Sequence, residues 1–104
     1  MKDTEFCSNL EIEIAVLDFW VDHHWLVPEE QNGMRIFHEA DLARARLIQD
    51  LVGPMGVNVD GVDVAMRLLD QIHGLRGRLT VLMEAIRTQD QDVQRRILAL
   101  IDKE

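Results

Sequence analysis

Apolar residues recur at helical spacing over most of this chain, and two short apolar runs flank a polar turn near residue 31. A first short helix is predicted over Thr4 to Asn9, with Asp3 or Thr4 able to cap it. A second runs from about Glu13 to Trp25, and Pro28 stops it and extends the chain. Then come Leu26-Val27-Pro28, the turn Glu29-Glu30-Gln31-Asn32-Gly33, and Met34-Arg35-Ile36-Phe37. Asn-Gly between two apolar runs is a hairpin signal, because both residues tolerate positive φ. The expectation is a small two-stranded wing whose strands are those two runs.

Helix three is expected to start at His38 or Glu39, with Glu39 and Asp41 in its first turn, where the helix dipole favours acids. It should end near Val52, because Gly53-Pro54-Met55-Gly56 breaks it. Asn58 is a good N-cap for a fourth helix. Its apolar positions Leu68, Ile72, Leu75, Leu79, Leu82 and Ile86 alternate steps of four and three, the heptad seam of a coiled coil. Gly74 and Gly77 lie within it and weaken it by about 1 kcal/mol each relative to Ala.

From Asn58 to Arg87 such a helix would be roughly 45 Å long at about 1.5 Å per residue. A compact domain of this size has a radius of gyration of about 13 Å, so the helix is expected to project and to need a partner for its seam. A homodimer is the economical solution. Thr88-Gln89-Asp90-Gln91 fits a capping box, from which a last helix would carry Val93, Ile97, Leu100 and Ile101. The expected fold class is mainly all-α. A winged helix-turn-helix core would span 1–56 and dimerisation helices 57–104, as parts of one domain.

Charge changes the picture. The net charge of -8 is concentrated at the front, where Asp3, Glu5, Glu11, Glu13, Asp18, Asp22, Glu29 and Glu30 face a single cation, Lys2. Duplex DNA is a dense line of negative charge, and binding it depends on Lys and Arg neutralising phosphates. A reading helix without them would approach DNA against its own field. The layout of a DNA reader with this charge points instead to a basic protein partner.

Cys7 is the single cysteine, which excludes an intrachain disulfide and fits a reducing cytoplasm. No apolar stretch approaches the roughly 20 residues of a membrane span. The acidic N-terminus also lacks the basic-then-apolar pattern of a signal peptide. A cytoplasmic protein is expected.

Several stretches resemble the MerR-like regulators. Gly33-Met34-Arg35-Ile36-Phe37 is similar to that group's wing, and Phe37-His38-Glu39-Ala40-Asp41-Leu42 to its step into the third helix. Within the group the chain most resembles the CbpM chaperone-modulator family. That resemblance rests on Glu5-Phe6-Cys7, the following helix to Pro28, and Gly61-Val62-Asp63-Val64-Ala65-Met66-Arg67-Leu68-Leu69-Asp70-Gln71-Ile72. It covers most of residues 5–82.

The resemblance implies a protein that binds the J-domain of a CbpA/DnaJ-like co-chaperone and suppresses its stimulation of Hsp70. The alternative is a MerR-like DNA-binding transcriptional regulator. The chain departs from DNA-binding members at the second helix, where Glu13, Asp18 and Asp22 stand in place of a basic face.

That helix carries two apolar stripes, and a surface helix needs one. Ile14, Leu17 and Val21 are expected to pack inward. Val16, Phe19, Trp20 and His23 would form a contact patch rimmed by Glu13, Asp18 and Asp22, an aromatic centre with a charged rim. The competing reading places Phe19 and Trp20 in the core.

Arg35 could meet a phosphate, but a salt bridge to Glu29 or Glu30 across the hairpin is favoured. His23 and His24 point about 100° apart on a helix, and the chain has no CxxC or HExxH, so no metal site is expected. Cys7 reads as a small buried residue, since no neighbour in sequence would lower its pKa. No cofactor loop and no catalytic pair stand out, so a non-enzymatic binding protein is the expectation.

Overall fold

The computed structural model describes residues 1–102. Its elements, in order, are α1 (Asp3–Leu10), α2 (Ile14–Asp22), β1 (Glu29–Gln31), β2 (Met34–Ile36), α3 (Glu39–Val52), α4 (Val59–Arg87) and α5 (Gln91–Ile101). This is the mainly helical winged helix-turn-helix architecture with a long C-terminal helix. The chain divides into two compact units, Met1–Arg67 and Leu68–Glu104.

In the first unit, α1 stops at Glu11, which adopts a left-handed conformation with φ of 55°. The Ile12 N–H then returns to the Cys7 carbonyl at 3.1 Å, which satisfies a helix-end acceptor and turns the chain into α2. The helix α2 ends early, at Asp22, because His24 also goes left-handed with φ of 59°. That reversal swings Trp25 and Leu26 into the core, where both are buried. The expectation of a helix to Trp25 is corrected there.

The first strand is also corrected. It is the polar Glu29–Gln31 and not Leu26–Pro28, with Glu29 opposite Ile36 and Gln31 opposite Met34. Asn32 and Gly33, at φ of 52° and 76°, form the whole two-residue loop between the strands. Two adjacent residues with positive φ are what the tightest hairpin connection requires. The apolar run before Pro28 is used for packing, with Leu26 fully buried.

Helix α3 begins where the sequence expected it, as Asp41 accepts a hydrogen bond from the His38 backbone at 2.8 Å. Asn58 caps α4 as expected, accepting from the Gly61 N–H at 2.8 Å. The core of this unit comprises Phe6 and Leu10 of α1, Leu17 and Trp20 of α2, Trp25, Leu26, Phe37, Ala45 and Ile48 of α3, and Val62 and Met66 of α4. Phe6 and Phe37 stack with centroids 4.0 Å apart, which clamps α1 to the step out of the wing. Each such side chain, fully buried, contributes about 1.5–3 kcal/mol. The opening of α4 belongs to this unit because Val62 and Met66 complete its core.

The second unit holds the rest of α4 and α5. The capping residue of α5 is Asp90, whose carboxylate accepts from the Val93 N–H at 2.9 Å. Thr88 instead donates its hydroxyl to the Ala85 carbonyl and closes α4, which corrects the capping box expected at Thr88. Leu68, Ile72, Leu75, Leu79 and Leu82 are exposed and Ile86 is half-buried. With α5 in place, Leu75 is still 61 % exposed.

Candidate protein-binding site

The second helix presents its faces differently from the sequence expectation. Leu17 is fully buried and Val21 half-buried, but Ile14 is 50 % exposed. The inward stripe is completed by Trp20, which is only 4 % exposed and packs in the core instead of standing with Phe19 on the outer side. Leu17, Trp20 and Val21 stand at positions i, i+3 and i+4; Ile14 shares the stripe at i−3 but is the first residue of α2, at the helix end, where it stays exposed. Val16 and Phe19 remain on the outer side, at 39 % and 42 % exposure.

Phe19 does not stand alone there. Its ring lies 4.0 Å from His23 and meets Trp25 edge-on at 5.7 Å. The His23 Nδ1 is 2.9 Å from the Phe19 carbonyl, which fixes the imidazole over the end of α2. Trp25 is anchored from the other side by its indole N–H, which donates to Asp63 of α4 at 3.3 Å. Arg44 of α3 donates to the Trp25 carbonyl. An aromatic cluster is thereby held rigidly at the surface.

Beside it lies an apolar groove of about 590 Å³. Ala15, Val16 and Phe19 of α2 form one wall, and Trp20 and Trp25 form its floor. The opposite wall is Val52 at the end of α3 with Val57, Asn58 and Val59 leading into α4. Val52 and Val59 are also half exposed. This groove escaped the sequence reading because its walls come from segments about forty residues apart. The valines Val52, Val57 and Val59 clustered around the Gly53–Gly56 breaker were the available signal.

The acidic residues separate into two groups. Asp18 sits toward the wing, where the Arg35 guanidinium donates to it at 2.7 Å. Arg35 also makes a two-pronged pair with Asp3 at 3.2 and 3.0 Å. Asp3 first, and Asp18 after it, raise the Arg35 pKa further above its usual range. The salt bridge expected to Glu29 or Glu30 is replaced by these two: Glu30 stands opposite Arg35 in the hairpin, but the guanidinium is taken by the carboxylates that α1 and α2 present to the wing. Glu29 instead bonds the His38 ring nitrogen at 2.8 Å, and that contact holds its carboxyl below the usual range.

The second acidic group is Glu13 and Asp22, at the two ends of α2. Both are exposed and have no ion-pair partner among the described residues. The structure thus keeps Val16, Phe19 and His23 beside the groove, with Glu13 and Asp22 beyond them. It removes Trp20 to the core and Asp18 to the Arg35 pair.

Cys7 is buried, and burial followed by the nearby Asp3 charge pushes its thiol pKa up, so it is a packing residue held in the less reactive form. Among the described residues no group of three or more His, Cys, Asp or Glu side chains could hold a metal ion. No helix among them is long and apolar enough to cross a membrane.

Comparison with known proteins gives a match to the family model described as MerR HTH family regulatory protein, over residues 1–84. No curated protein and no solved structure matches the chain.

Proposed function

The chain belongs to the MerR HTH family of regulatory proteins, and from that premise we propose that it regulates by binding a protein and not DNA. In this reading it is a cytoplasmic, non-enzymatic chaperone modulator. It binds the J-domain of a CbpA/DnaJ-like co-chaperone and inhibits the stimulation of Hsp70.

One observation carries the proposal. The outer face of the reading helix has no cation, and the single arginine of the wing is already neutralised by Asp3 and Asp18. A phosphate arriving at the wing would have to displace two carboxylates, while Glu13 and Asp22 repel it from α2. The same arrangement attracts a basic protein surface and raises its association rate. The resemblance to CbpM, carried by Glu5-Phe6-Cys7 and the Gly61–Ile72 stretch, supplies the partner class.

The seam Leu68, Ile72, Leu75, Leu79, Leu82 and Ile86 serves as the dimerisation surface in this proposal. Its exposure along α4 supports that role.

The test is titration with an isolated J-domain at low and at moderate salt, with duplex DNA as control. Salt-sensitive binding of one J-domain per protomer with no DNA shift is the expected result. A DNA shift with no J-domain binding would return the chain to the DNA-binding members of its family.

A further inference from the structure

We infer that the groove beside α2 seats an apolar side chain presented by a basic amphipathic helix of a protein partner; the inference rests on the protein-binding reading above and gives that partner's chemistry. The groove, at about 590 Å³, falls within the range of about 300–1,000 Å³ in which ligand clefts lie. Val16, Phe19, Val52 and Val59 line it and stay between 39 % and 47 % exposed, so its walls are uncovered in the folded chain. Its floor is firm, because Trp25 is tied to Asp63 of α4 and only 2 % exposed.

Charge selects the occupant. Residues 11–22, which include the α2 wall, and 57–61, which carry the opposite wall beside Val52 of α3, contain Glu11, Glu13, Asp18, Asp22 and Asp60 and no Lys or Arg. Arg35 takes up Asp18. Glu11, Glu13, Asp22 and Asp60 are exposed and hold no ion pair among the described residues. Nucleic acids and anionic membranes are repelled by such a rim.

Along α2 the unpaired acids Glu13 and Asp22 are nine residues apart, about 13 Å at 1.5 Å per residue. That is about two and a half helical turns, which puts the two acids on opposite edges of the face carrying Val16 and Phe19 as well as at opposite ends. A helix crossing that face obliquely can therefore set Lys or Arg against each. Its apolar anchor then drops between Phe19 and Val52. Helices recognised in grooves carry anchors at this periodicity.

The two tryptophans of the chain, Trp20 and Trp25, both floor the groove, so intrinsic emission reports its occupancy directly. The probe is a synthetic helical peptide with leucines at three- and four-residue spacing and lysines elsewhere, beside a control with glutamates in place of the lysines. The lysine peptide is expected to shift the emission saturably, and the glutamate peptide to leave it unchanged. Val52→Gln and Phe19→Ala, on opposite walls, should each weaken binding by roughly tenfold. Glu13→Lys with Asp22→Lys should weaken it most at low salt.

No saturable shift with the lysine peptide, or an affinity untouched by Val52→Gln, would overturn the inference. The same variants titrated with a J-domain separate the two readings. J-domain binding that ignores Val52→Gln sinks the groove and spares the chaperone-modulator proposal. Peptide binding without J-domain binding upholds the groove and sinks that proposal.

Discussion

Phe19→Ala separates a surface anchor from a core residue, and the size of its effect can be worked out beforehand. Phe19 keeps 42 % of its surface exposed, whereas Phe37 keeps none. Full burial of such a side chain contributes about 1.5–3 kcal/mol, so Phe19 at little more than half burial contributes about 1–2 kcal/mol. Its ring contacts with His23 at 4.0 Å and Trp25 at 5.7 Å add about 0.5–1.5 kcal/mol. Truncation should therefore cost about 2 kcal/mol, well below the 5–15 kcal/mol of a typical domain. Phe37→Ala removes a fully buried ring stacked on Phe6 and should cost about 3–5 kcal/mol.

The assay is urea unfolding followed by tryptophan emission. Because Trp20 and Trp25 both lie within Met1–Arg67, that signal reports on the first unit. J-domain titration of the same two proteins completes the comparison. Phe19→Ala should stay folded, with a clear loss of affinity. If it destabilises as much as Phe37→Ala, or unfolds outright, Phe19 is a core residue and the anchor reasoning is wrong.

Other outcomes follow from local geometry. Gly33→Ala should destabilise by about 1–2 kcal/mol, since an L residue at φ of 76° is strained although open space surrounds it. Gly74→Ala, in the middle of α4 with nothing near the added carbon, should stabilise by about 1 kcal/mol, and paired thermal melts would show the opposite signs. Cys7 should resist iodoacetamide at neutral pH until the chain unfolds. Its folded pKa is raised, so its share of stability is full below the unfolded pKa and fades as pH rises through the folded value; a free thiol reacting at the unfolded rate would contradict the burial. Under the proposed dimerisation through the seam, Leu75→Lys with Leu79→Lys should halve the mass seen in sedimentation; a parent protein that is already monomeric, or a dimer mass unchanged by the pair, would overturn that role.

The order of elements was legible in the chain because local rules decide it. The Asn32-Gly33 pair, the Gly53-Pro54 breaker and the Asn58 cap each act within four residues, and each marks its boundary in the structure. The acidic character of α2 was equally open to reading, since charge is composition. Tertiary structure alone decided which face of α2 turns inward. Two apolar stripes are degenerate in sequence, and burial of Trp20 with exposure of Ile14 depends on where α1, α3 and the Trp25-Leu26 reversal pack.

The partners of Arg35 were likewise invisible, because Asp3 and Asp18 lie 32 and 17 residues away and meet it only when the wing docks on both helices. The groove has the same origin. Its walls are separate in sequence, and their approach is set by the packing that buries Trp25. Short-range chemistry determines where this chain turns, and long-range packing determines which of its residues a partner can reach.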